Sequence, residues 1–525
     1  MSGKRIGGRL AMTSTAGTGE RPLRDPVVLF FVGLKFILQI ATAGGYGFFR
    51  DELYDIACGQ HPAWGYVDQP PLIAFAARLS VDIFGLSLYG VRLLPALAGA
   101  VLVMVVAILA RDLGGGKFAW RFSAFVILPV PMYLVFHHWL TMNAFEPLLW
   151  TSVATLAVRM MQRDDPRYWL PIGLLCGIGM ENKYTMLLPI GALMLALAGG
   201  AGRRFLRTSW FAAGLAFGLL LFLPNFLWLC RNDFPFLEFY LNGRASPMQM
   251  DRGMLEFMTD QAMIMNPLLL PLWGAGLAWG LTRRSPATAR FSSVFFLAVF
   301  VPLLLLKAKN YYVAPVYPVM AAAGSVAFEV WTARSRTGLR ALYAASVAAT
   351  GLVMAPLVLP VLPVAGFLAY QRALGGLRPI VSERTEQGVM PQFFADELGW
   401  REMVRETARV YHGLPEAERM RTAIFANNYG EAAAIDVFGP EYGLPRAIGN
   451  HVSYWLWGPR NYDGSTVIVL GSNGEGDRTH FRDVEVAGHV KNPLSRPGEQ
   501  FDILLCRGLA RDLREFWPSI RKWTP

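Results

Sequence analysis

Charge is what this sequence has least of. Only 17% of its 525 residues are charged while 54% are hydrophobic, and the mean hydropathy is +0.34. A water-soluble globule does not carry so apolar a balance, so a bilayer must supply part of the solvent. Cysteine is scarce too. Cys58, Cys176, Cys230 and Cys506 stand at scattered spacings, which excludes a disulfide framework and a CxxC metal pattern. Cys58 and Cys230 could meet outside the membrane, but unpaired thiols are expected. The sequence shows no solenoid-type repeat and no low-complexity tract. The net charge of +11 is not a nucleic-acid footprint, because acidic and basic residues nearly cancel from about residue 371 onward and the excess lies on the apolar part.

What is present is a series of apolar runs, near residues 27–49, 88–110, 118–136, 144–161, 168–180, 184–200, 209–230, 264–282, 291–306, 311–331 and 339–369. Most are long enough to cross a hydrocarbon core of roughly 30 Å. The fifth and sixth are short and read as tilted or broken. Residues 1–26 are polar, contain Lys4, Arg5, Arg9, Arg21 and Arg24, and lack a small-residue cleavage site, so they read as a cytoplasmic tail leading into a permanent anchor. Alternate connections carry the positive charge: Arg111, Lys117 and Arg121; Arg159, Arg163 and Arg167; Arg203, Arg204 and Arg207; Arg283, Arg284 and Arg290; Arg334, Arg336 and Arg340. All fall on the tail's side, as the positive-inside rule requires.

The fold expected is a polytopic α-helical membrane protein of about eleven transmembrane helices, residues 27–370, followed by an extracytoplasmic soluble α/β domain, residues 371–525. In that domain TAIFANNYGEAAAIDVFG, STVIVLGS and FDILLCRG alternate apolar strands with Gly-containing turns. Asn427, Asn428 and Glu431 suit glycan contacts and equally suit turn and cap positions.

The long outer connections, 50–87 and 231–263, point to extracytoplasmic chemistry. The first reads FFRDELYDIACGQHPAWGYVDQPPLIAFAARLS and sets Asp51, Glu52 and Asp55 at the membrane surface with Asp68 further on. Asp51 and Asp55 are spaced to share a helix face. Clustered carboxylates at an apolar boundary suit a general base or a metal ligand, and spacing alone suits a solvated interfacial loop as well. Leu72, Phe75, Ala76, Leu79 and Ile83 recur at helical spacing, as in an amphipathic helix lying in the interface, and Trp64 and Tyr66 suit the aromatic belt.

DELY followed by GYVDQPPL, TMNAFEPLLW, NKYT and KNYYVAPVYPVMAAAG together resemble the bacterial members of the dolichyl-phosphate-mannose protein mannosyltransferase and aminoarabinose transferase superfamily, glycosyltransferases of the GT-C fold. The resemblance covers residues 27 to about 331. It implies an inverting transferase in a bacterial inner membrane, moving a sugar from a polyprenyl-phosphate carrier to an extracytoplasmic lipid, polysaccharide or protein. It makes Asp51 the catalytic base and Glu146, a position where relatives often have Asp, a second essential carboxylate. Glu52 is a further catalytic candidate, and Asp68 and Gln69 are candidate substrate-binding residues. The departing phosphate needs cations or hydrogen-bond donors, for which Lys183, Lys309, Tyr311 and Tyr312 stand at the outer boundary, where a lysine also serves as a snorkelling anchor. Arg231 and Arg244 in the second outer loop suit phosphate or an anionic sugar, or a solvated surface. A divalent metal shared by Asp51, Glu146 and His138, beside His137 and Asn143, is a candidate cofactor, although the histidine pair lacks the helical spacing of a metal site. The rival reading is a lipid or solute transporter, against which stand the absence of related halves and the gathering of ionisable residues at one face. A purely structural scaffold would leave the carboxylate-rich loop without a role.

Overall fold

A computed structural model describes residues 21–246, 253–333, 337–376 and 386–524. Most of the polar tail lies outside the described residues. The first apolar helix, Pro26–Thr42, begins at an Asp-Pro step: Asp25 accepts the Val27 N–H at 2.9 Å and Pro26 takes a position whose N–H would go unused. Arg121 pairs with Asp25 at 2.9 Å, tying this helix end to a basic connection on the tail's side. There too the Glu329 carboxylate accepts the N–H groups of Gly116 (2.6 Å) and Phe118 (3.1 Å), capping the helix Lys117–Ile127 from another segment.

Among the described residues five helices are long and apolar enough to cross a membrane by length and composition: Leu88–Asp112, Ser209–Arg231, Ala287–Leu305, Asn310–Trp331 and Thr337–Val358. The number is up to seven if two bent pairs each count as one span, Tyr184–Ala198 with Ala201–Arg207 at 114° and Met254–Ile264 with Pro267–Leu281 at 100°. The expected runs are therefore not all continuous helices, and proline is the main reason. Run 118–136 stops at Ile127 and restarts at Pro131, and run 339–369 breaks between Val358 and Val364 at Pro360 and Pro363. Helix Trp169–Asn182 is short but packs closely on Ser209–Arg231, because a Cβ at Gly173 would stand 2.0 Å from the Gly214 carbonyl oxygen.

The connection 50–87 is folded. Arg50–Gln60 and Leu72–Phe84 are helices; the second buries Ile73, Ala74, Ala77 and Ser80, while Leu79, Ile83 and Phe84 of the apolar side face outward. Trp64 is exposed as an interfacial residue would be, but Tyr66 is buried, its hydroxyl donating to the Cys58 carbonyl at 2.8 Å. All four thiols are unpaired.

The C-terminal part holds a five-stranded sheet, β1 Thr422–Ala426, β2 Ile448–Gly449, β3 Thr466–Leu470, β4 Phe481–His489 and β5 Asp502–Leu509, in the order β2-β1-β3-β5-β4. β1 runs parallel to β2 and β3, and the other pairs are antiparallel. The alternate strand residues Ile424, Ala426, Ile468 and Leu470 share one core with Leu53, Ile56 and Ala57 of helix Arg50–Gln60. Helix Tyr429–Phe438, the β1–β2 crossover, lies between sheet and first outer loop, with Gly430 so close that a Cβ there would meet Arg50 Cγ at 2.8 Å.

Candidate active site

Helix Arg50–Gln60 begins with the Phe49 N–H donating to Glu52 Oε2 at 2.9 Å, one half of a capping box. Glu52 is fully buried and also accepts Arg92 Nη2 at 2.8 Å and the Leu140 N–H at 3.0 Å. Arg92 reaches Glu397 at 3.2 Å and the carbonyl of Gly47 at 2.6 Å. Glu52 is thus committed to a buried network that holds the first outer loop against the segment before Trp400. The next residue toward the N-terminus, Asp51, is left facing a cavity.

That cavity, about 1190 Å³, brings together Asp51, Asp55, Asp68, Gln69, Lys183, Lys309, Tyr311 and Tyr312, most of the residues singled out in the sequence. Tyr429 donates its hydroxyl to Asp51 Oδ1 at 2.8 Å. Gln69 Nε2 donates to Asp55 Oδ1 at 2.7 Å, and Tyr54 donates to Asp68 Oδ1 at 2.8 Å. Burial lifts Asp55 well above the usual carboxylate range and Asp68 to about 7, with Asp51 adding to both. Lys183 Nζ donates to Asn143 Oδ1 at 2.6 Å and Glu146 Oε2 at 2.9 Å and stands 4.9 Å from the centre of the Tyr312 ring. Thr185 donates its hydroxyl to Glu146 as well. Glu146 is therefore the anchor of Lys183, buried behind the cavity wall.

Other expectations are not brought together. His138 Nε2 lies 3.0 Å from Arg92 Nη1, within the Glu52 network. Among the described residues no three His, Cys, Asp or Glu side chains gather as a set able to hold a metal ion, so Asp51, Glu146 and His138 do not form a preassembled donor set. Arg231 is exposed at the end of its helix, and neither it nor Arg244 lines the cavity. Asn428 caps helix Tyr429–Phe438, accepting the Glu431 N–H at 2.9 Å, and Glu431 is buried in the same cap.

The residues not foreseen sit beside Asp51. Arg50 is half-buried, its guanidinium 4.3 Å from the centre of the Tyr429 ring, and its shielded Nε meets no hydrogen-bond partner among the described residues. Burial opposes its charge, but Tyr429 and the carboxylates of Glu499, Asp396 and Asp51 outweigh that and hold its pKa above the ordinary arginine value. Asp396, raised to about 6 by burial, is moderated by Arg496 and Arg50. A second chamber of about 250 Å³ adjoins, lined by Phe49, Met132, Val135, Phe136, Trp139, Ile264, Val358 and Phe393, and shares Arg50, Asp51, Asn143, Tyr311, Tyr429 and Arg496 with the large cavity. The only sequence signal for Arg50 was its position next to Asp51; Tyr429 gave none.

Residues 68–228 match the family model described as dolichyl-phosphate-mannose-protein mannosyltransferase. A lipid A galacturonosyltransferase, RgtD, of Rhizobium johnstonii is 29% identical over 192 residues, 35% of this chain and 39% of the relative, so the match spans well under half of that protein. The fold is that of ArnT from Cupriavidus metallidurans: the apo structure gives a TM-score of 0.59 at 14% identity, covering 91% of this chain and 97% of that one, and the structure bound to undecaprenyl phosphate gives 0.58. An oligosaccharyltransferase from Archaeoglobus fulgidus matches at 0.50 and 12% identity over 79% of this chain and 64% of its own. The chain is thus similar in sequence across 68–228 to the dolichyl-phosphate-mannose-protein mannosyltransferases, and in fold, nearly end to end, to ArnT.

Proposed function

We propose that the protein is an inverting glycosyltransferase of a bacterial inner membrane that moves a sugar from a polyprenyl-phosphate carrier to an extracytoplasmic acceptor. The observation that carries the reading is the meeting, at Arg50, Asp51 and Tyr311, of a large cavity holding Lys183 and Lys309 with a chamber whose wall includes Met132, Val135, Phe136, Trp139, Ile264 and Phe393. A carrier lipid needs both, an apolar wall for its prenyl chain and fixed cations for its phosphate. ArnT has been captured with undecaprenyl phosphate and RgtD is named for sugar transfer to lipid A, which supports the same two classes of substrate here.

In the proposed reaction Asp51 takes the proton of the acceptor hydroxyl as its oxygen bonds to the anomeric carbon. The bond from that carbon to the phosphate oxygen breaks, and its electron pair leaves with the polyprenyl phosphate. Lys309, Lys183, Tyr311, Tyr312 and Arg50 stand where that negative charge collects. Positive-inside charge and the cavity's outer-loop residues support about eleven crossings over 27–370, counting the shorter and broken helices, with 371–525 as an extracytoplasmic domain.

The test is incubation of detergent-solubilised protein with radiolabelled polyprenyl-phosphate sugars and lipid, polysaccharide and protein acceptors. Label should pass to one acceptor class, and Asp51→Asn should lower the rate by roughly 10²-fold or more with protein level unchanged. Absence of transfer across the panel, with gradient-driven uptake in sealed vesicles, would establish the transporter reading instead.

A further inference from the structure

The parallel half of the C-terminal sheet contains a topological switch point. The chain passes from β1 to β2 on one side and returns to β3 on the other, so a crevice opens at the carboxyl ends of β1 and β3. Ligands of open α/β sheets bind in such crevices, often as anions at the helix N-terminus. Here the chain fills the anion position itself. Glu431 Oε2 accepts the Asn427 N–H at 3.1 Å, and a Cβ at Gly471 would lie 2.2 Å from Glu431 Oε1, so only glycine leaves room for the carboxylate. A phosphate has no place there.

Beside this plug the crevice mouth opens into the Asp51 cavity, where Asn428, Tyr429, His451, Glu499 and Lys522 form a wall. Glu499 Oε2 is buried and meets no hydrogen-bond partner among the described residues, and its Oε1 takes only a long bond of 3.4 Å from Asn428. A buried acceptor left in this state gains from any ligand that donates to it. Lys522 Nζ makes a similarly long bond of 3.4 Å to the Asn427 carbonyl. The Lys522 backbone is pinned, its N–H donating to Asn450 O at 2.9 Å and its carbonyl accepting the Val452 N–H at 3.1 Å. His451 closes the arrangement: its Nε2 donates to the Thr524 carbonyl at 2.6 Å and its Nδ1 accepts the Tyr429 N–H at 3.2 Å. An acceptor and a donor with unused capacity thus share this wall, the donor on pinned backbone. A hydroxyl is both donor and acceptor, and adjacent hydroxyls of a sugar ring satisfy such a pair.

We propose that Glu499 and Lys522, at the switch point of the C-terminal sheet, form a saccharide subsite of the Asp51 cavity that binds the hydroxyl groups of a sugar ring. The proposal rests on the transferase reading and names what the C-terminal part contributes to it. The ring belongs either to a saccharide acceptor or to the sugar being transferred. The experiment uses full-length E499Q and K522M in detergent, with folding checked by size exclusion, and follows both transfer and acceptor-free hydrolysis of the donor. If the ring is the acceptor's, both variants raise acceptor KM about tenfold and K522M leaves hydrolysis at the wild-type rate. If it is the donor's, donor KM rises and hydrolysis falls with transfer. Unchanged KM for both substrates in both folded variants overturns the subsite. A wild-type protein that neither transfers nor hydrolyses refutes the transferase reading alone, and a glycan array then decides the subsite: a wild-type glycan signal lost in both variants supports it, and absence of any bound glycan overturns it.

Discussion

Asp51 is oriented by a residue 378 positions away in the chain, the hydroxyl of Tyr429. A hydrogen bond to a carboxylate lowers its basicity slightly but fixes which oxygen faces the acceptor, and for a general base geometry comes first. Tyr429→Phe removes that hydroxyl while keeping the ring under Arg50, so turnover should fall about tenfold with donor KM little changed. A rate within twofold of wild type, measured under saturating donor, would show that Asp51 is held by its other contacts. Asp68 offers a pH signature. Its carboxyl titrates near 7 in the fold and near 4 when exposed, so between about 4 and about 7 the folded state holds the extra proton and stability declines as pH rises through that window. Asp68→Asn cannot ionise and escapes the decline. The thermal midpoint of the variant minus that of wild type in detergent should grow from acid to neutral pH and then level, and a gap independent of pH would remove Asp68 from the titrating groups.

At the scale of elements, the contact between helix Arg50–Gln60 and helix Tyr429–Phe438 places Arg50. Gly430 permits it, since a Cβ there would stand 2.8 Å from Arg50 Cγ and 3.0 Å from the Trp400 ring. Helix propensity alone favours alanine over glycine by about 1 kcal/mol. The close approach should reverse that preference, because Arg50 and Trp400 belong to packed elements that cannot both withdraw. Gly430→Ala is therefore expected to lower both the thermal midpoint and transfer activity; a midpoint raised with activity intact would mean that the interface yields easily. The same scale explains why β4 escaped notice in the sequence. Arg482, Asp483 and Glu485 occupy an exposed edge strand, whose charged residues discourage pairing with other chains and hide the apolar alternation.

For the molecule as a whole, the charge alternation makes an experiment of topology. Cysteines placed in the 111–117 and 283–290 connections should resist a membrane-impermeant thiol reagent in intact cells, whereas one near residue 475 should react. Labelling of the 283–290 connection from outside would invert the arrangement. The membrane character and the gathering of Asp51, Asp55, Asp68, Gln69, Lys183 and the two tyrosines after Lys309 were legible in the sequence. Hydropathy and charge are properties of neighbouring residues answering to solvent, and they survive whatever the rest of the chain does. The family resemblance added the positions that stand together across loops. What only the tertiary structure decided was the division of labour: Glu52 and His138 bound into the Arg92 network, Glu146 behind Lys183, and Arg50, Tyr429, Glu499 and Lys522 gathered around Asp51. Those roles depend on how the C-terminal sheet docks on the first outer loop, a packing of residues hundreds of positions apart that leaves no periodicity in the sequence to read.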